Sequence, residues 1–396
     1  MKKLLLASSA LVASASLAHA EVLLTGSAEL GIFGGQEFGE DVDTQFHSDI
    51  DLDFSMSGQT DGGLTFGATF DIDSLNEEND SGNITAFDNA DGGDDTSIFV
   101  SGAFGTLTMG DTDGALDFVM QEASIGASLI DDNEHLGWNG NDQLDGFFTD
   151  VNGQVARYDY TLGGFSVAVS AEVDDEPDTF NIDTSGSLAD DIGDRIDEID
   201  NDTVLGVGVR YEGSFSAFDF GAGLGYQRVG QSVGTDFVEE NDDGENVFSD
   251  TEDSDAEAIG VSLDFSLDSG FQGVLNYSTY NNVFEAELGG VNAEDDLSDN
   301  TLVGTGFQLD DHYGIALGYE FGNFLVAANY GQFGFDEGEV DGYGLVANYD
   351  LGGGAELQAG YGRSEYSLDD DTLLNADFDD DDDKFETFSF GIAMSF

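Results

Sequence analysis

The chain has 396 residues, 84 of them acidic against 8 basic, for a formal net charge of −76, with 55 Gly, a single Pro and no Cys. That charge excludes a nucleic-acid binder, because phosphate contacts need cations, and the lack of Cys excludes disulfide scaffolds, thiolate metal centres and thiol catalysis. The 32 Phe, 13 Tyr and one Trp are too many for a solvated, disordered chain, so they must be buried or face a non-aqueous phase.

At the N-terminus, Lys2 and Lys3 precede an apolar stretch from Leu4 to about Leu17, and Ala18-His19-Ala20 stands before Glu21. This is the charged, apolar and small-residue plan of a secretory signal. Residues 1–20 are read as that signal, cleaved after Ala20, and residues 21–396 as one exported unit with six cations and all 84 acids. No later window approaches the roughly 18–20 consecutive apolar residues of a spanning helix.

From there the chain alternates. In Gln45–Gly58, Phe46, Ile50, Leu52, Phe54 and Met56 share one parity, and His47, Asp49, Asp51, Asp53 and Ser55 the other. Leu64–Asp73 repeats this, with Leu64, Phe66, Ala68, Phe70 and Ile72 against Thr65, Thr69, Asp71 and Asp73. Such alternation predicts strands with one apolar and one polar face. In chain order the other strands are expected at Val22–Phe33, Thr96–Phe104, Thr106–Asp111, Gln154–Leu162, Phe165–Val173, Thr203–Tyr211 and Phe218–Arg228. They continue at Ala256–Leu267, Phe271–Tyr280, Tyr313–Phe321, Phe324–Phe333, Gly342–Leu351, Ala355–Tyr366 and Lys384–Phe396, sixteen in all.

Short Gly-rich turns alternate with long polar segments, about 74–95, 111–153, 174–202, 229–255, 281–311 and 367–383, which hold 56 of the 84 acids. Pro177 falls in one of them, where no ladder loses a donor. An even strand number, short turns at one end and long loops at the other is the pattern of an antiparallel transmembrane β-barrel. A soluble sandwich would have to solvate Asp49, Asp51, Asp53, Asp71 and Asp159 on a packed inner face; a wet lumen and a lipid-facing exterior satisfy both parities. By parity, Asp49, Asp51, Asp53, Asp71, Arg157, Asp159 and Arg210 line the lumen, while Phe46, Leu52, Phe54, Phe66 and Phe70 face lipid or a neighbouring subunit. The terminal strand, with Phe388, Phe390, Ile392, Met394 and Phe396 on one face, fits the same plan.

Phe54-Ser-Met-Ser-Gly-Gln-Thr-Asp-Gly-Gly-Leu-Thr-Phe-Gly-Ala-Thr-Phe70 resembles the second hairpin of the Rhodobacter-type general porins of alphaproteobacteria. The run from Ile98 to Asp111 is similar to their fourth and fifth strands, and Gly342–Ala355 looks like a late hairpin. The resemblance covers about 22–173 and 342–396. It implies a homotrimer of sixteen-stranded barrels in the Gram-negative outer membrane, among lipid and lipopolysaccharide, with the loop at about 111–153 folded inward as a constriction. It also implies that the N-terminal strands lie at the trimer axis. The candidate constriction residues are Asp113, Asp117, Glu122, Asp131, Asp132 and Glu134. One departure matters. The family carries basic residues on the wall facing that loop, where this chain has His47-Ser48-Asp49-Ile50-Asp51.

Enzymatic readings find little support. His47, His135 and His312 are the only imidazoles after residue 20, and His47 and Ser48, as strand neighbours, face opposite sides. No cofactor is expected, with Ca²⁺ as the one candidate: Asp379, Asp380 and Asp381 could supply carboxylate oxygens, but a diffuse counter-ion cloud suits an unspaced Asp run better. So acidic a chain suggests a halophilic or marine source, where salt screens self-repulsion. The expected function is passive diffusion of small hydrophilic solutes and ions, with a bias for cations. The alternatives are an acidic, adhesin-like surface barrel binding divalent cations, and a substrate-selective channel.

Overall fold

The computed structural model describes residues 21–37, 40–72, 96–141, 144, 154–173, 199–201, 203–234, 237–240, 246–248, 251–285, 307–336, 338–368 and 384–396. Residues 1–20, the expected signal, lie outside them, as do Pro177 and Asp379–Asp381. Sixteen antiparallel strands form the wall. The first seven are β1 (Glu21–Glu37), β2 (Glu40–Gln59), β3 (Thr65–Ile72), β4 (Ser97–Gly102), β5 (Gly105–Gly110), β6 (Gln154–Leu162) and β7 (Phe165–Val173). The next five are β8 (Val204–Phe215), β9 (Phe218–Gly234), β10 (Thr251–Leu267), β11 (Phe271–Glu285) and β12 (Phe307–Phe321). The circuit ends with β13 (Phe324–Phe335), β14 (Gly338–Gly352), β15 (Ala355–Leu368) and β16 (Lys384–Ser395). Each strand pairs with its sequence neighbour, and β1 closes the cylinder by pairing on both sides: Ser27 stands opposite Asp51 of β2 and Ser395 of β16. Closure leaves no unpaired edge, as a strand wall in lipid requires.

The expected strands are all present, but several run further at the long-loop end. β9 continues from Arg228 to Gly234 and β10 starts at Thr251 instead of Ala256. A short strand, Ile199–Asn201, pairs with Gln231–Val233 above β8, and Phe237–Glu240 pairs with Asn246–Phe248. The added stretch of β10, Thr251–Asp255, reads Thr-Glu-Asp-Ser-Asp and is polar at every position. A strand needs only about 9–11 residues to cross a bilayer, so the ends of these longer strands need not meet lipid, and the alternation that reveals a strand fades there.

The outer face follows the predicted parity. Phe46 is 91% exposed and Ile50 60%, with Leu52, Met56 and Phe66 also open, whereas Phe54 lies stacked on Phe70 at 4.7 Å. At the short-turn end aromatic rings meet across strands: Phe165 and Tyr211 at 4.6 Å, Phe271 and Tyr319 at 5.8 Å, Phe321 and Phe324 at 5.4 Å, and Phe324 and Tyr349 at 4.5 Å. A belt of amphipathic rings at that height marks a lipid–water boundary.

The inner face departs from the expectation of an all-polar lining. Ala168, Val204, Val229, Ala256, Ala258, Val283, Leu309 and Phe333 point inward and are buried, together with Leu116, Val119, Met120 and Leu144 of the segment after β5. The apolar core therefore sits inside the barrel, between the wall and a loop laid against it. Such residues interrupt the polar parity because the loop covers them.

Candidate functional site

The segment after β5 enters the lumen through α1 (Ala115–Val119). Five residues cannot sustain a helix in water; packing holds this one, with Leu116 and Val119 fully buried against β8 and β9. Burying one Leu contributes roughly 1.5–3 kcal/mol. The chain then crosses β10 and β12–β16 to reach β1, reverses near Asp131 and returns along the wall to β9. Asp131 takes a left-handed φ of 47°, a conformation Asp tolerates better than most residues.

Two sequence devices let backbone lie this close to a strand wall. The first is small residues at alternate inward positions. A Cβ at Gly223 would stand 2.0 Å from the Val119 carbonyl oxygen, and one at Gly344 2.4 Å from the Asn133 Cα. The second is a set of wall side chains that satisfy the loop's main chain. Ser170, Ser262 and Ser364 accept from the amides of Ala115, Gln121 and Leu136 at 2.8–2.9 Å. The amides of Asn348 and Asn329 donate to the carbonyls of Ala127 and Asn133 at 2.8 and 2.6 Å. His312 Nε2 donates to the Gly137 carbonyl at 2.9 Å. Buried main-chain groups need such partners, and each bond contributes about 1 kcal/mol.

The seven predicted wall positions separate into two settings. Asp49, Asp51 and Asp53 stand on the inward parity of β2; Asp51 accepts from Ser27 at 2.8 Å and Asp53 from Thr25 at 3.1 Å. Asp49 pairs in register with Glu29 of β1, which sequence reasoning did not single out. His47, the basic group of this wall, is held 3.1 Å from Glu29. Asp71 pairs in register with Asp53, but its side chain lies outside the described positions. Arg157 and Asp159 on β6 and Arg210 on β8 sit instead where the loop departs. Arg157 is 5% exposed, with its guanidinium 4.2 Å over the Phe118 ring, donating to the Asp113 carbonyl, and Asp113 and Asp159 carboxylates at 3.6 and 4.0 Å. Arg210 is bound by Asp264 at 2.6 Å and Glu212 at 3.1 Å.

Of the constriction candidates, Asp113, Asp131 and Glu134 keep an open face, and Asp117 and Glu122 are half-buried. Asp132 corrects the expectation of a uniform acidic rim: it is 3% exposed, turned into the wall, where Ser389 donates to it and its own amide donates to Ser128. Burial and repulsion from Asp132 push the Asp131 carboxyl up. Burial, with Asp131 second, pushes Glu134 up to about 7. Among the described residues, no group of three or more His, Cys, Asp or Glu side chains is placed to hold a metal ion. The Ca²⁺ candidates Asp379–Asp381 lie outside them.

Burial, then the neighbouring His312, holds the His135 imidazole down at about 4. A folded-state value below the free imidazole's means that docking is fully supported above about pH 6.5 and loses support as pH falls from there toward 4. Trp138, the chain's single Trp, lies three residues along and donates its amide to the His135 carbonyl at 2.7 Å. Its fluorescence is expected to shift to the red across that window in the wild type and to shift less in His135→Gln, where His312 still ties the loop to the wall. An unchanged wild-type spectrum would show that the imidazole does not matter to docking.

A family model described as Gram-negative porin matches residues 7–370. The chain is 28% identical to a porin of Rhodobacter capsulatus over 368 residues, covering 90% of this chain and 96% of the relative. Its fold is similar to a porin structure refined at 1.8 Å, with a TM-score of 0.60 and 24% identity over 95% of this chain and all of the other. It is also similar to an engineered triple mutant of the Rhodopseudomonas blastica porin, with a TM-score of 0.52 and 14% identity over 95% of this chain and all of that one. For an anion-selective porin from Comamonas acidovorans the TM-score is 0.55 and the identity 13%, over 96% of this chain and all of the other.

Proposed function

The chain belongs to the Gram-negative porin family and forms a channel of the outer membrane, and on that premise we propose that it is a passive diffusion pore for small hydrophilic solutes and ions whose constriction favours cations. One observation carries the bias. Among the described residues the two inward arginines, Arg157 and Arg210, are engaged by carboxylates at the base of the loop, whereas Glu29, Asp49, Asp51 and Asp53 occupy the wall that meets the acidic loop tip. Charge of one sign around a narrow aqueous path concentrates counter-ions and excludes co-ions. Fold likeness does not decide the sign, since a structure 13% identical comes from an anion-selective porin; the argument rests on the residues. Family membership further supports a homotrimer with the N-terminal strands at its axis. A monomeric mass for the unheated, detergent-solubilised protein would contradict that assembly.

In planar bilayers a diffusion pore gives conductance that keeps rising with salt, whereas a substrate-selective channel saturates and a plugged adhesin conducts nothing. Selectivity should also depend on pH. A carboxyl raised to about 7 is neutral below that value and charged above it, so Glu134 adds a negative charge to the constriction as pH rises. The potassium-to-chloride permeability ratio is therefore expected to climb, by roughly twofold, between about pH 6 and 8. Glu134→Gln should flatten that upper step. A ratio constant from pH 5 to 8 would remove Glu134 from the constriction.

A further inference from the structure

Between the loop tip and strands β1, β15 and β16 lies a cavity of about 440 Å³ whose lining differs from the rest of the lumen. Phe33, Ile130, Leu136 and Phe385 give it an apolar surface, and Asp131 and Glu134 stand on it as carboxylates. Its lining residues include no Lys or Arg. Two further lining acids are already engaged: Asp132 with Ser389, and Glu386 with Arg363 at 3.2 Å. His135 also lines the cavity; it is 6% exposed, and neither ring nitrogen has a hydrogen-bond partner.

We propose that this cavity is a binding subsite for a small organic cation with an apolar body, an aralkyl or alkyl ammonium, beside the constriction. The Asp131 carboxylate, joined by Glu134 above about pH 7, attracts the ammonium group, and aromatic faces add to the attraction of a cation. Burial keeps His135 neutral at ordinary pH, so it adds no positive charge that would repel a cation. The apolar walls distinguish such a solute from potassium or methylammonium, which carry the same charge without surface to bury. An organic anion meets the same carboxylates as repulsion. The assignment rests on the cation-favouring pore and goes beyond it, by naming a solute class and a place where it pauses.

The test is block of potassium current through the purified protein in planar bilayers by benzylammonium, methylammonium and neutral benzyl alcohol. The zero-current potential is measured on the same membranes. Benzylammonium is expected to block at a concentration lower by about tenfold than methylammonium, and benzyl alcohol not at all. Leu136→Ser, on the half-open rim of the cavity, should erase the preference for the aromatic ion. Asp131→Asn should weaken block by both ammonium ions. Equal block by the two ammonium ions in a pore that still selects cations would overturn the subsite and leave the parent reading standing. Block by benzyl alcohol as strong as by benzylammonium would overturn the ionic part of the assignment. A membrane with no cation preference would overturn the parent reading itself.

Discussion

Replacing Asp49 and Asp51 together with Arg should lower the potassium-to-chloride permeability ratio by roughly thirtyfold at about 0.1 M salt and move the pore toward neutral. The size follows from elementary electrostatics. Each substitution changes the wall by two unit charges. At roughly 8 Å in water, with a screening length of ~10 Å, each unit charge acts on a passing ion with about 0.2–0.3 kcal/mol. Four such units favour the anion and disfavour the cation together, and the two shifts combine in the ratio. Both positions lie on the lumen parity of a wall strand whose outward neighbours, such as Ile50, carry the membrane face, so the barrel should assemble normally. Asp51 gives up one bond from Ser27, a loss of about 1 kcal/mol. If the double variant assembles and keeps the wild-type ratio, the β2 wall does not face the ion path. The effect should shrink toward 1 M salt, where screening falls to ~3 Å.

Gly223→Val should dislodge the start of the constriction loop. The new side chain would occupy space held by the Val119 carbonyl, 2.0 Å from the Cβ position, and would crowd Ser262 Oγ at 2.8 Å, the acceptor of the Gln121 amide. Backbone on both sides prevents an easy adjustment, so α1 must leave the wall and expose Leu116 and Val119. Overpacking of this kind costs about 1–3 kcal/mol. That falls on loop docking rather than on the strand ladder, which β9 keeps on both sides. Single-channel records should therefore change from one steady level to switching among several, and Trp138 emission should move to the red. Ser262→Ala, which removes one tie of about 1 kcal/mol, should show a milder form of both. Steady wild-type conductance in Gly223→Val would mean that the loop does not rest on this strand.

The barrel was legible because lipid imposes a strict rule. Every second residue in the membrane band must be apolar, and Ile50 to Met56 or Phe388 to Phe396 obey it without help from their neighbours. Where a strand end need not meet lipid the rule lapses, so Gly230–Gly234 and Thr251–Asp255 read as loop although they are strand. The inner site was only half legible. Parity assigned Asp49, Asp51, Asp53, Arg157 and Arg210 to the lumen, but it could not say that the loop covers Arg157 or turns Asp132 into the wall. Those are tertiary facts, set by what lies opposite. A signal for the loop's path was present in the pairs Gly206-x-Gly208, Gly223-x-Gly225, Gly342-x-Gly344 and Gly360-x-Gly362. Each places two side-chain-free positions on one inward face, where another backbone can settle. Glu29 escaped notice because β1 carries no alternating acids to draw attention to it.

The zero-current potential across a bilayer containing the wild-type protein, under a tenfold gradient of KCl centred near 0.1 M at pH 7.5, tests the proposed selectivity most directly. A constriction bounded by Glu29, Asp49, Asp51, Asp53, Asp131 and Glu134, with its inward arginines engaged by carboxylates, predicts a potential negative on the concentrated side, as potassium leaves faster than chloride. A potential near zero, or one of the opposite sign, would contradict it.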